Sequence, residues 1–415
     1  MKILWLNAGL PLPLDKGGKL RTWHLMRHLA RRHEVTYLSF AAPNQPRSDL
    51  EGMREVAARV LTVPREDAPK GSLAFYVDAA RYVMNPAPYA VAKYRSQAYA
   101  AALTFLLRER AFDVAVCDFL PPIVNMPAEL PCPSVLFTHN VEAEIWRRHA
   151  ETAGHPVRRA LMHGQWTRML AFERAALDRF DLVLTVSDAD RATFERLYPA
   201  TGRAYHVVPT GVDTEYFAPA RGADRAHAAR DRHLVFTGSM DWLPNEDGML
   251  YFCREILPQI RQLEPGVTVS IVGRAPTPAV RRLAEARGVE VTGRVDDVRP
   301  HVAGASLSIV PLRIGGGTRL KIFEAMSMAK AVVSTTVGAE GLPVTPGRDI
   351  VIADEPARFA EAVVGLLRRP DERRQIEAAA RQLVVERYDW SAVAREFEAA
   401  LARVATAARA KEQVA

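Results

Sequence analysis

Runs of Val, Ile, Leu and aromatic residues, five to eight positions long, recur along the chain, and each stops at a polar or glycine-rich corner. In the first half they are KILWLN (2–7), EVTYLSF (34–40), FDVAVCDF (112–119), SVLFTH (134–139) and FDLVLTVS (180–187). Between them, LRTWHLMRHLARR (20–32) and RALMHGQWTRMLAFERAAL (159–177) place apolar residues at helical spacing. The pattern restarts with HLVFTG (233–238), VTVSIVG (267–273), VEVTG (289–293), ASLSIVPL (305–312) and KAVVSTT (330–336), again separated by helical segments. Such alternation predicts parallel sheets covered on both faces. The expected fold class is α/β, with two Rossmann-like doubly wound domains over residues 1–205 and 233–388. A ligand site is expected in the cleft between the carboxyl ends of their strands. Residues 206–232, rich in Gly, Pro, Ala and charge, read as a linker. Residues 389–415 read as a terminal helix, because Trp390, Val393, Phe397 and Leu401 share one face.

Composition leaves this picture intact. The chain has 415 residues, 48% apolar and 25% charged, ordinary for a globular protein of two or three domains. No apolar stretch approaches the roughly 20 residues of a membrane span. The segment after Met1 lacks the basic n-region and cleavage site of a signal peptide, so a soluble cytoplasmic protein is expected. The Ala-, Arg- and Lys-rich last dozen residues are expected to fray. Cys117, Cys132 and Cys253 are widely spaced with no CxxC, which argues against disulfides or zinc and for small apolar fillers. Charge adds more. Net charge is +7, and residues 1–205 carry 27 Lys and Arg against 21 Asp and Glu, the remainder 28 against 27. There is no zinc finger or aromatic-interleaved basic motif, so nucleic acid is not expected. An anionic membrane surface or a phosphate-bearing acceptor fits the basic first half, alongside a plain bias of the solvated surface.

Candidate chemistry sits at the corners. PLPLDKGGKLR (11–21) joins the first strand to the first helix. Gly17 and Gly18 allow close backbone approach to a ligand before a helix start that attracts anions, although a GG pair also suits a surface turn. In FTHNVEAEIW (137–146), His139 ends a strand beside Asn140 and Glu142, and its imidazole can hydrogen-bond a sugar hydroxyl or meet developing charge. Asp188 and Asp190 in SDAD look like a metal pair, but Ser187 and Asp190 form a capping box, and no metal is assigned. TGSMDWLPN makes a corner at Gly238 and starts a helix near Asn245. VTGRVDD sets Arg294 just past a strand end, with Asp296 and Asp297 as helix-start carboxylates. PLRIGGGTRLKIFEAM (311–326) is the most informative stretch. Its glycines expose N–H groups at a helix start, yet Arg319 and Lys321 put cations at the positive end of the helix dipole. A bound diphosphate would turn that conflict into cooperation. Thr318 reads as the cap, and Glu324 suits a hydroxyl-rich group such as ribose. The spacing is not that of a Walker A loop.

In this order the motifs resemble the retaining glycosyltransferases of family 4, which have the GT-B fold. The similarity covers nearly the whole chain and is strongest from about 233 to 343. PTGVDTEYF, FTGSMDWLPN, IVGR, the run from VTGRVDD to VGAEGL and the terminal YDWS helix carry it. Within the family the chain is most similar to bacterial enzymes of exopolysaccharide or cell-surface glycan assembly. The resemblance implies a C-terminal domain that binds a nucleotide-sugar and an N-terminal domain that binds a glycan or lipid-linked acceptor. It also implies a last helix crossing back to the N-terminal domain, and neither metal nor cofactor. Glu324 matches the second acid of the E-x7-E motif, and Gly316 stands at the first. GSMDWLPN lacks the basic pair found in many members, so Arg319 and Lys321, with the N–H groups of Gly316 and Gly317, are expected to stabilise the leaving diphosphate. Gly17 and Gly18 match the glycine loop near donor phosphate and acceptor, and His139 matches the histidine near the transferred sugar. Gly238, Asn245, Arg294 and Thr318 complete the donor side, and Lys19, Asn140 and Glu142 the acceptor side. A nonhydrolysing nucleotide-sugar 2-epimerase or a non-catalytic sugar-nucleotide-binding subunit remain as alternatives. An NAD-dependent dehydrogenase lacks its glycine fingerprint here.

Overall fold

The structure is a computed structural model describing residues 1–14, 17–66, 72, 85–199, 204–219, 231–314 and 320–414. The chain divides into two compact units, Met1–Pro209 with Val393–Ala415, and Thr210–Ala392.

The first unit is built on seven parallel strands in the order β3-β2-β1-β4-β5-β6-β7. They are β1 Lys2–Leu6, β2 Glu34–Ala41, β3 Arg59–Pro64, β4 Val114–Asp118, β5 Ser134–Phe137, β6 Leu182–Thr185 and β7 Tyr205–Val207. β4, β5 and β6 are buried along their whole length, as strands covered on both faces must be, which explains their unbroken apolar runs. The strand order reverses between β1 and β4, and the carboxyl ends flanking that reversal are where such sheets place ligands.

The second unit repeats the plan with β10-β9-β8-β11-β12-β13: β8 His233–Thr237, β9 Thr268–Val272, β10 Val289–Gly293, β11 Leu307–Val310, β12 Val332–Ser334 and β13 Val351–Ile352. Its reversal lies between β8 and β11. Phe323 stacks on Tyr388 at 4.5 Å, binding the helix Leu320–Ser327 to the end of the helix Pro370–Arg387.

Several expectations need correction. Gly17 and Gly18 are the first residues of the helix Gly17–Leu29 and not a loop before it. The presumed linker from 206 begins inside a strand, since β7 pairs with β6. Residues just beyond it dock in the second unit: Val212 N–H donates to the Tyr388 carbonyl at 2.7 Å, and Thr214 to Asp389 at 2.6 Å. The terminal helix continues from Trp390 to Val414, past the point where fraying was expected. Phe397 on that helix explains the persistence of its first half. It is fully buried, stacked on Trp5 at 5.6 Å and edge-on to Phe137 at 5.2 Å.

Phe397→Ala would remove this ring from between two core strands. It should cost about 3–5 kcal/mol of stability, the usual range for a buried Phe. Urea unfolding tests this, and a loss below about 1 kcal/mol would show that the terminal helix does not support the first sheet.

Candidate active site

In the first unit the polar corners after β1, β4 and β5 converge with the helix Gly17–Leu29 on one carboxylate. Asp118, at the end of β4, has no exposed surface. Its Oδ2 accepts from Trp5 Nε1 at 3.0 Å, Asn7 Nδ2 at 2.7 Å and Thr22 Oγ1 at 2.5 Å, and its Oδ1 meets His139 Nε2 at 2.7 Å. Burial opposes the charge, but His139 and these donors prevail and hold the carboxyl below its usual range. Burial lowers the His139 pKa, against the pull of Asp118 and with help from Arg21. Arg21 lies buried alongside, its guanidinium 5.9 Å from the Phe137 ring centre. Its pKa is lowered to about 10 by burial, opposed by Asp118 and Asp190.

The His139 ring is clamped by Phe119, stacked at 5.4 Å, and Phe137, edge-on at 5.0 Å. Phe119 takes a φ of 76°, the left-handed region, which costs a side-chain-bearing residue about 1–3 kcal/mol and is tolerated where surroundings enforce it. Gly18 lies against the opposite edge: a Cβ there would sit 3.0 Å from His139 Nδ1. The other acceptor-side candidates are dispersed. Lys19 reaches back to the Pro13 carbonyl at 3.2 Å, and Asn140 hydrogen-bonds Glu142. Burial pushes the Glu142 carboxyl up to about 7. The backbone of Glu142 and Ala143 donates to Glu173 at 2.8 and 3.1 Å, so a buried acid from another helix caps the helix that follows His139. Ser187 caps its helix as expected, its Oγ accepting from Asp190 N–H at 3.0 Å.

In the second unit the corners after β8 and β9 touch backbone to backbone. A Cβ on Gly273 would lie 1.7 Å from the Gly238 carbonyl oxygen, so no other residue fits there. Gly238 makes room for a cation, because a Cβ on it would lie 2.8 Å from Lys321 Nζ and 2.7 Å from Asn245 Nδ2. Lys321 Nζ donates to Asn245 Oδ1 at 2.7 Å and sits 4.0 Å from the Phe236 ring centre. Both ends of the buried Asn245 amide are engaged within the protein, since Nδ2 donates to the Ser239 carbonyl at 2.8 Å. Glu324, one helical turn beyond Lys321, is pushed up to about 7 by burial, with Lys321 opposing. Arg313, before the glycine run, is held by Asp247 and lies 4.4 Å from the Tyr251 ring centre. Gly316, Gly317, Thr318 and Arg319 lie outside the described residues.

A cavity of about 420 Å³ opens beyond β9 and β10, lined by Ala275, Pro276, Arg281, Val291, Thr292 and Arg294. Arg294 is thus 56 residues along the chain from Gly238 but shares its sheet edge. Among the described residues no group of three or more His, Cys, Asp or Glu could hold a metal ion. Sequence reading missed Asp118, Trp5, Asn7, Thr22 and Arg21 in the first unit. In the second it missed Arg274, whose Nε donates to Ser239 Oγ at 2.8 Å and brings a cation to a corner that has none of its own. The available signals were an acid closing an otherwise apolar strand (Asp118) and the Arg that ends IVGR (Arg274).

Comparison with known proteins agrees with this architecture. Residues 16–216 match the model of Glycosyltransferase Family 4, and residues 231–369 that of Glycosyl transferases group 1. The alpha-maltose-1-phosphate synthase of Mycolicibacterium smegmatis is 26% identical over 64% of this chain and 71% of its own. Three further relatives, a mannosyltransferase of Mycolicibacterium hassiacum, the D-inositol 3-phosphate glycosyltransferase of Frankia alni and the phosphatidyl-myo-inositol mannosyltransferase of Mycobacterium tuberculosis, match over 56 to 60% of their own length. Among solved structures, the sucrose-phosphate synthase of Thermosynechococcus elongatus superposes with a TM-score of 0.70 at 17% identity, over 98% of this chain and 100% of that one. HepE of Anabaena, solved with UDP and glucose, gives 0.63 at 16% identity over 97% and 99%. The chain belongs to glycosyltransferase family 4. It is a glycosyltransferase with the GT-B fold.

The raised pKa of Glu324 has a definite sign. The folded protein holds this proton more tightly than the unfolded chain, whose value is near 4.5. The resulting stabilisation is complete below about 4.5 and lost as pH rises through about 7. Glu324→Gln should therefore gain thermal stability relative to the wild type between about pH 5 and pH 8. Melting curves across that range check this, and a pH-independent difference would mean that the fold does not hold the Glu324 proton.

Proposed function

We propose that this glycosyltransferase moves a sugar, with retention and without a metal, from a nucleotide-diphosphate sugar to a glycan or lipid-linked acceptor in surface polysaccharide synthesis. The observation that carries this reading is the Lys321 ammonium, fixed by Asn245 and Phe236 in the space that Gly238 leaves at the end of β8. A cation held in advance at a glycine corner is suited to the charge that builds on a departing diphosphate. Arg274 and, from the sequence, Arg319 add to it. The cavity beside Arg281 and Arg294 falls within the range of small-ligand pockets and suits the nucleoside end of the donor. Glu324 as a carboxylate would accept from ribose hydroxyls. UDP and glucose bound in HepE support a donor of this class.

In the proposed reaction the acceptor hydroxyl approaches the anomeric carbon from the face the diphosphate leaves. The bond to the β-phosphate oxygen breaks as the new glycosidic bond forms, and that phosphate takes the hydroxyl proton. No protein nucleophile is required. With Lys321 and its neighbours neutralising the diphosphate, no metal is needed for that task. His139, half-buried and held by Asp118, offers a hydrogen bond on the acceptor side.

We extend the proposal to contact with an anionic membrane. At the start of the helix Pro156–Leu177, Val157 and Leu161 share a face with 61% and 52% of their surface exposed. Arg158 and Arg159 flank them, and no Asp or Glu occurs between Glu151 and Glu173. No helix among the described residues is long and apolar enough to cross a membrane.

Two experiments test the reading. In a thermal-shift panel of UDP-, GDP- and ADP-sugars, at least one donor should raise the melting temperature by mass action. Lys321→Ala should then raise the barrier to transfer by about 2–4 kcal/mol, as loss of a preorganised donor to developing charge does. Near-native turnover in a folded Lys321→Ala protein would refute the leaving-group role. For the membrane, binding to phosphatidylglycerol vesicles should weaken with salt and in Val157→Asp/Leu161→Asp. Equal binding to neutral vesicles would contradict it.

A further inference from the structure

The two oxygens of Asp118 are not equivalent. Three groups donate to Oδ2, and two of them have no alternative. The Trp5 indole N–H is a donor only. The Asn7 amide is oriented by its own loop: its Oδ1 accepts from Ala8 N–H at 2.6 Å and Gly9 N–H at 3.3 Å, which leaves Nδ2 to face Asp118. Oδ2 is therefore compelled to be an acceptor. Oδ1 faces His139 Nε2 at 2.7 Å. An ionised carboxylate has no proton to give, so the hydrogen between Oδ1 and Nε2 belongs to the ring.

We propose that Asp118 is a positioning residue that fixes His139 as the tautomer protonated on Nε2, leaving Nδ1 as a hydrogen-bond acceptor on the side of Gly18. Among the described residues Nδ1 has no hydrogen-bond partner. Gly18 faces that nitrogen, and a Cβ there would lie 3.0 Å from it. Phe119 and Phe137 prevent the ring from turning over to exchange its nitrogens. The exposed acceptor suits a neutral hydroxyl of a sugar, which donates its proton in a hydrogen bond, and not an anionic phosphate oxygen, which has none. That use by substrate rests on the glycosyltransferase reading; the tautomer does not.

Asp118→Asn separates the two. The compulsory donors at Oδ2 should hold the amide oxygen in that position, turning the new NH2 toward His139. It would donate to Nε2, and the ring would move its proton to Nδ1, reversing the tautomer while the geometry is kept. Long-range 1H–15N correlation on protein labelled at histidine reads this directly, with the His139 signal identified by its loss in His139→Gln. The wild type should carry its proton on Nε2 and Asp118→Asn on Nδ1. Turnover of whichever of UDP-glucose, GDP-mannose and ADP-glucose the wild type uses should fall about 100-fold or more in Asp118→Asn, with little change in donor KM. A wild-type ring protonated on Nδ1, an unchanged tautomer in Asp118→Asn, or native turnover in that variant would overturn the proposal. The wild-type spectrum decides the first point even if Asp118→Asn does not fold. Absence of turnover in the wild type, with both tautomers as stated, would strike the assigned chemistry and leave the tautomer assignment standing.

Discussion

A carboxylate removed from water must be given back the hydrogen bonds it loses, or it becomes neutral. Asp118 is the point in the first unit where that requirement is met. Its donors come from β1, from the loop after β1, from the first helix and from the corner after β5. The chain's first strand and its loop, its first helix and the corner after β5 are thereby tied to the end of β4 at the carboxyl edge of the sheet, beside the place where the strand order reverses. Phe119 holds a left-handed backbone next to it, and its ring, with that of Phe137, fixes His139. Removal of the carboxylate would take the partner from the buried Trp5 indole N–H and Thr22 hydroxyl, each loss costing about 1–3 kcal/mol. The same atoms therefore serve stability and the orientation of the imidazole.

The second unit solves a different problem with glycine. Its corners after β8 and β9 must approach so closely that a methyl group on Gly273 would overlap the Gly238 carbonyl. The space beside Gly238 admits the Lys321 ammonium, and Asn245 bridges that ammonium to the Ser239 carbonyl. Lys321 thus does not lie idle against the helix dipole. It is directed away from its own helix into the corner of a neighbouring strand. In each unit the sheet is a support, and the chemistry is carried where the first strand of the sheet ends: Asn7 after β1, Gly238 after β8.

The fold was legible because buried parallel strands cannot afford polar interruptions. All ten predicted strands exist, and they lie mostly in the sheet interiors. The three that went unnoticed, β3, β7 and β13, are edge strands. β3 is largely half-exposed, and β7 and β13 have three and two residues, so none leaves a continuous buried run in the sequence. Candidate residues were legible where a motif is local. Lys321, Glu324 and His139 all stand at corners or helix starts that the pattern locates. The Asp118 network was not, because Trp5 and Thr22 lie 113 and 96 residues away and the contact exists only once strands are ordered in the sheet. Arg274 was hidden for the same reason: it belongs to the end of β9 but serves the corner after β8.

The central claim is that a diphosphate departs from the sugar under the influence of fixed cations, with the acceptor entering on the same face and no metal assisting. The most direct test is the anomeric configuration of the product, read by 1H NMR coupling from a transfer run in excess EDTA with a donor of known α configuration. The account predicts an α-linked product formed at an undiminished rate. A β-linked product, or transfer abolished by EDTA and restored by a divalent cation, would contradict it.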